Sequence, residues 1–320
     1  DCYYLPSVTY HMSAKGVAYT MAQVNGQLVI RDRFSVSNFF SDVGRYGCTC
    51  ASMFGASAQL LSTIDPKPDD ASTPLRQVLM SPLLPDVDGF VARFGLEVTT
   101  GYGMTEIGPV ICGAAGQISN ENYRSCGRLL PEYEARLVDE HDYEVPTGEL
   151  GELIVRSDRP WMLNLGYVGL PDESMKAWRN GWFHTGDLFR VDALGNFFFV
   201  DRLKDAIRRR GENISSFEVE ALVNSHPDVV ETAAVAVPSD LGEDDVKVVV
   251  VRRVGSDLTE SDLIEFLIPV MPRFMIPRYV EFVDTLPKTP TDRVQKALLR
   301  SAGITSGTWD RTTAAAKSAV

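Results

Sequence analysis

The stretch FVARFGLEVTTGYGMTEIG, Phe90 to Gly108, decides the fold class. FVARFG reads as the end of a helix with Gly95 at its C-cap, where a residue without Cβ adopts the left-handed conformation at little cost. LEVTTGYG then reads as a strand. Upstream, Val36, Phe39, Phe40 and Val43 recur at helical spacing, and CTCASMF at 48–54 follows as a buried strand. The opening DCYYLPSVTYHM also begins like a strand. Helix and strand thus alternate to about residue 100, which predicts an α/β layer.

Downstream the pattern changes. EARLVDEHDYEVPTGELGELIVRS reads as two strands around a polar turn, and GNFFFVDR adds another. After Arg202, Ser215 and Glu218 form a capping-box signature, with Pro227 just beyond the helix it opens. VVETAAVAV, KVVVVRRV and RYVEFV read as strands and TESDLIEFLI as a second capped helix, which makes a small α+β domain. Between the two regions, DRLKDAIRRRGENIS is dense in charge and has no apolar periodicity. It reads as a solvated linker or as a hinge lining a polar cleft.

Composition narrows the function classes. The 320 residues are 44% hydrophobic and 23% charged, an ordinary globular balance. A formal net charge of −12 argues against a nucleic-acid scaffold, which needs basic stripes. No apolar run has the length of a transmembrane segment. Five cysteines without a CxxC pair suit small buried hydrophobes in a reducing, cytoplasmic setting better than a metal centre. The chain opens on Asp1 with no initiator methionine, which suggests a fragment whose upstream part is missing.

Three stretches could carry chemistry. GYGMTEIG at 101–108 nearly matches the dinucleotide fingerprint, but Glu106 stands at the third glycine. A carboxylate there repels a pyrophosphate unless a cation lies between them, so a metal-bridged phosphate remains open beside a plain strand-end turn. GWFHTGD at 181–187 places His184, Thr185 and Asp187 in a glycine-containing turn, where Asp187 either accepts from ribose hydroxyls or caps the turn. His184 has no second ligand at metal spacing. KTPTDRVQK at 288–296 alone is a charged polar loop.

In this order and spacing, GYGMTE, GWFHTGD, DRLKDAIRRRGENIS and LPKTPTDRVQK resemble the adenylate-forming superfamily. Within it the chain looks most like the acyl-CoA ligases, of the crotonobetaine/carnitine-CoA ligase type. The resemblance implies an incomplete α/β large-domain portion with a β-rich subdomain over 1–201, a hinge at 202–205, a small α+β domain over 206–302 and a flexible tail over 303–320. It implies that a carboxylic acid attacks the α-phosphorus of ATP to give an acyl-adenylate, and that coenzyme A then displaces AMP. Tyr102 would stack on adenine with Gly103 and Met104 beside it, Thr105 would contact the phosphates and Glu106 would hold Mg2+. Asp187 would bind the ribose with help from Arg202, Lys204 would be the hinge residue, and Gly211 would lie along the pantetheine arm. His11 and Gly101 would border the acyl pocket. Assembly as a homo-oligomer is left open.

The chain departs from the family pattern in three places. The family's phosphate loop would lie before Tyr3, so the chain by itself is expected to adenylate poorly. Pro82, in the loop LMSPLLPD at 79–86, changes the backbone donors near the adenine. Asp292-Arg293 stands where the family has Gly-Lys, which makes Arg293 the catalytic cation and Lys296 the alternative. A luciferase-like oxidase, a peptide-synthetase adenylation domain or a non-catalytic nucleotide-binding remnant are the competing readings.

Overall fold

The computed structural model describes residues 1–313 apart from 7, 8, 33, 55, 56, 210, 211, 240, 241 and 290–292. Gly211 and Asp292 therefore lie outside the described residues. The chain divides into two compact units, Asp1–Thr185 with Phe189–Phe199, and Gly186–Leu188 with Val200–Val320. A large mixed α/β region is followed by a smaller α+β one.

The large unit opens with β1 (Cys2–Leu5), α1 (Met12–Gln23), β2 (Gln27–Ile30), α2 (Val36–Tyr46), β3 (Cys50–Phe54), α3 (Ser57–Ser62), β4 (Gln77–Ser81), α4 (Val87–Phe94) and β5 (Glu97–Met104). These five strands stand in the order β2-β1-β3-β4-β5, and each neighbouring pair is parallel. Gly47 and Gly95 end α2 and α4 in the left-handed conformation, at φ +63° and +64°. At the other end of α4, Asp86 accepts from the Gly89 N–H at 3.1 Å, which satisfies one of the donors a helix start leaves open. Tyr4, Phe39, Met53, Met80 and Phe94 are fully buried between helices and sheet. Burying each such side chain contributes about 1.5–3 kcal/mol, which is why this layer forms. Cys2, Cys48 and Cys50 are free thiols in the same interior.

β5 then leaves the parallel register and begins an antiparallel region. It comprises β6 (Gly108–Gly113), β7 (Ser125–Leu129), β8 (Glu134–Val138), β9 (Gly151–Arg156), α5 (Pro171–Ala177), β10 (Trp178–Arg179), β11 (Trp182–Val191) and β12 (Phe197–Arg202). The 12-stranded sheet continues β5-β6-β7-β12-β11-β9-β8, with β10 paired to β11. The expected strands in EARLV and GELIVR pair antiparallel as β8 and β9. One expectation is corrected here. HTGD is not a turn but the middle of the ten-residue β11, whose glycine, Gly186, takes φ +70° inside the strand.

The small unit holds β13 (Ile207–Arg209), β14 (Glu212–Ile214), α6 (Ser216–Asn224), β15 (Val229–Pro238), β16 (Asp244–Arg252), α7 (Glu260–Leu267), β17 (Tyr279–Val283), α8 (Lys296–Ala302) and β18 (Trp309–Asp310). Its sheet runs β15-β16-β17-β18, with β16 and β17 parallel and the other neighbours antiparallel. Ser215 caps α6 by accepting from Glu218 N at 3.1 Å, and Thr259 with Asp262 forms a full capping box on α7.

One of the two readings of the charged stretch fails in this unit. The charged stretch after Arg202 is not a solvated linker: β13 and β14 pair, with Ile207 and Ile214 buried. In the described part of the segment after Gly303, Trp309 packs on the core and β18 pairs with β17. Among the described residues no helix is long and apolar enough to cross a membrane.

Candidate functional site

In a parallel sheet ordered 2-1-3-4-5, ligands bind beyond the carboxyl ends of the strands, at the switch between the first and third. His11 follows β1 at that end, and Gly101–Glu106 extend β5 beyond it. GYGM is strand and Thr105–Ile107 is the turn of the β5–β6 hairpin. The glycines are needed for close approach rather than for turn angles. A Cβ on Gly103 would sit 2.4 Å from the Gly108 carbonyl oxygen, and one on Gly101 would sit 2.8 Å from that of Ile111.

The half-buried Tyr102 ring packs edge-on against Phe189 at 4.8 Å, and its hydroxyl lies 3.8 Å from the Met104 sulfur. Thr105 is exposed at the tip. Three residues that the sequence reading missed hold this turn, two by side chains and one by its backbone. Tyr133 donates to the Ile107 carbonyl at 2.9 Å. The Asn164 N–H donates to the Glu106 carbonyl at 2.9 Å, and Trp178 donates to the Asn164 side chain at 2.8 Å. The Tyr167 hydroxyl donates to Glu106 Oε1 at 3.1 Å. Burial and the adjoining Glu106 carboxylate push the Tyr167 hydroxyl up to about 12, so it remains a donor at neutral pH. Nothing in one sequence marks a tyrosine in a glycine-rich loop as a partner for a glutamate 61 positions away.

Glu106 fits a magnesium ion. Its second carboxylate oxygen has no partner among the described residues, and no group of three His, Cys, Asp or Glu side chains suited to a metal occurs among them. Magnesium is ordinarily held by one or two carboxylates together with water and substrate phosphates, and a lone Glu106 suits that arrangement. His11 has a structural task as well: its ring nitrogen accepts from Ser13 N at 3.3 Å and caps α1. His184 is buried with Nδ1 2.9 Å from Glu152, and Arg179 pairs with both Glu152 and Asp142, which ties β9, β10 and β11 together.

In the small unit, Arg202 Nε lies 3.8 Å from the Asp187 carboxylate. Lys204 is exposed in the turn that follows. The two candidate cations differ sharply. Lys296 Nζ contacts Glu220 at 2.7 Å and donates to Ser216 Oγ at 2.6 Å, while Glu220 also accepts from Ala234 N at 2.8 Å. Burial pushes the Glu220 carboxyl up, and the Lys296 ammonium opposes that shift. Arg293 is exposed, and among the described residues its guanidinium makes no hydrogen bond or ion pair. Only its backbone is held, through Thr289: Arg293 N donates to the Thr289 hydroxyl at 3.2 Å, and Thr289 N donates to the Arg293 carbonyl at 2.8 Å.

Comparison with known proteins settles the family. Residues 1–168, more than half of the chain, match the model of the AMP-binding enzyme family. The chain belongs to that family. Residues 218–293 match the C-terminal domain model of AMP-binding enzymes. Among relatives, the chain is 31% identical to crotonobetaine/carnitine–CoA ligase of Salmonella arizonae and 32% identical to that of Proteus mirabilis, each over 94% of its length. It spans 59% and 58% of those two proteins. Among solved structures it is similar to ATP-bound MatB from Rhodopseudomonas palustris. The TM-score is 0.80 at 27% identity, over 94% of this chain and 60% of that one.

Proposed function

We propose that this AMP-binding enzyme activates a carboxylic acid with ATP and transfers the acyl group to the thiol of coenzyme A. The observation that carries the reading is that, among the described residues, the Arg293 guanidinium and the second carboxylate oxygen of Glu106 have no partner, while the neighbouring candidate cation Lys296 is held in an ion pair. The substrate carboxylate oxygen attacks the α-phosphorus, the bond to the β-phosphate oxygen breaks, and pyrophosphate leaves. In this reading Arg293 would stabilise the charge that grows on the α-phosphate oxygens, the kind of electrostatic stabilisation that dominates such transfers. Its planar fork reaches two oxygens at once, where a lysine would act as a point charge. Glu106, held by Tyr167, would hold magnesium, which supplies positive charge to the departing pyrophosphate. Tyr102 offers a ring for the adenine, and Asp187 with Arg202 a polar pair for the ribose. In the second half-reaction the thiol sulfur attacks the acyl carbon, the acyl–phosphate bond breaks and AMP departs.

The similarity to crotonobetaine/carnitine–CoA ligases supports a small organic acid as the substrate. The competing reading, a nucleotide binder without chemistry, is favoured by arginine at the position where the family has lysine. Titration of the complete gene product with ATP and AMP, followed by hydroxylamine trapping over a panel of carboxylic acids, separates the two. A trapped hydroxamate supports the ligase; nucleotide binding without hydroxamate on any acid contradicts it.

A further inference from the structure

Helix α8 begins three residues after Arg293, and both of its cations are tied to its own unit. Lys296, at its start, is held by Glu220 and Ser216. Arg300, near its end, donates through Nη1 to the Lys204 carbonyl and to Asp205 Oδ1 at 2.8 Å. Beyond the helix, the Gly303 carbonyl accepts from the buried Lys247 at 2.6 Å. Lys204 and Asp205 belong to a turn closed by the Asp205 and Ala206 N–H groups on the Arg202 carbonyl, both at 2.9 Å. That turn lies just after Val200, where the chain enters the small unit. Asp205 is buried, so its charge depends on Arg300 for compensation.

We propose that Arg300 is a positioning residue, which makes α8 a strut between the 202–206 turn and the backbone that presents Arg293. This rests on the reading of Arg293 as the adenylating cation. A charged donor on both a carbonyl and a carboxylate fixes a direction as well as a distance, which a single contact does not. With the strut intact, Arg293 moves with the entry turn as one body. Without it, the helix pivots about its Lys296 anchor and Arg293 loses its aim. Misplacement of a reacting group by about an ångström is enough for a rate loss of roughly 100-fold, so a partial loss of aim has a measurable effect on rate and little on nucleotide affinity.

The test uses the complete gene product with Arg300→Ala, Arg300→Lys, Asp205→Ala and the Arg300→Ala/Asp205→Ala pair. Amide hydrogen exchange reads the strut directly, without any substrate. Exchange at Asp205 and Ala206 is expected to rise about tenfold in Arg300→Ala, with α6 unchanged, as befits a local opening. Hydroxamate turnover at saturating ATP is expected to fall about tenfold while the ATP dissociation constant stays within about twofold. Arg300→Lys recovers part of the turnover, and the double variant is no slower than either single one, because the two residues act as one unit. Unchanged exchange at 205–206 in a folded Arg300→Ala protein overturns the strut. So does a turnover loss that merely follows the folded fraction. A wild type that traps no hydroxamate overturns the adenylation reading and the catalytic half of this proposal with it. That failure is told apart from a failed strut by whether exchange at 205–206 still rises.

Discussion

The turn at Thr105–Ile107 is held from three sides, by Tyr133, Asn164 and Tyr167, whereas among the described residues Arg293 is held only through its backbone to Thr289. Both segments carry a charge that the proposed chemistry needs. A carboxylate that holds a small, geometrically strict cation is useful only when its direction is fixed. A cation that meets a substrate must instead remain available, and an ion pair would remove it from use. In the small unit the ion pairs go to its neighbours. Lys296 and Arg300 bind the helix, and among the described residues the Arg293 guanidinium has no partner.

The contrast breaks most visibly at Lys296. Lys296→Met leaves Glu220 in a protected site without its cation, and loss of one partner of such a pair costs about 3 kcal/mol. Urea unfolding of the small unit should show that loss, while turnover per folded molecule stays within about threefold. Full stability with abolished turnover would exchange the roles of the two cations.

The hairpin gives the next effect. Gly103→Ala drives a Cβ to 2.4 Å from the Gly108 carbonyl oxygen, where backbone rather than a flexible side chain has to yield. Such overpacking costs about 2 kcal/mol, to be read as a lowered unfolding midpoint. An unchanged midpoint would mean that the hairpin is less tightly drawn than described.

The smallest effect sharpens the comparison. Tyr167→Phe keeps the ring and removes the hydroxyl that orients Glu106, and loss of such a supporting bond weakens metal affinity by about tenfold. Magnesium titration of ATP binding measures it. No change in the magnesium requirement would remove Tyr167 from the site.

The sequence made the parallel layer legible because helix caps and strands there follow local rules. Gly95 closes α4, the strands alternate with helices, and Ser215 and Thr259 open α6 and α7. It misled where burial and charge coincide. Arg209 is buried against Asp245 at 3.0 Å between Ile207 and Ile214, so a stretch that reads as a charged linker is a packed hairpin. In the tail, Trp309 pairs with β17 and Asp310 with Arg278, contacts that its small, polar sequence does not announce. Glycine at 186 reads as a turn signal because a positive φ inside a strand has no local signature. The family motifs single out Glu106 and Arg293 as candidates, but the contacts of Tyr133, Asn164, Tyr167 and Arg300 span 14 to 96 positions, which no spacing in one chain reveals.

The most direct test of the account is hydroxylamine trapping of the acyl-adenylate by the complete gene product and its Arg293→Ala variant, with folding verified for both. Removal of one electrostatic donor from such a transfer costs roughly 100-fold or more, so Arg293→Ala is predicted to lose at least that much hydroxamate formation with its unfolding midpoint unchanged. An Arg293→Ala enzyme that traps hydroxamate at the wild-type rate would contradict the account.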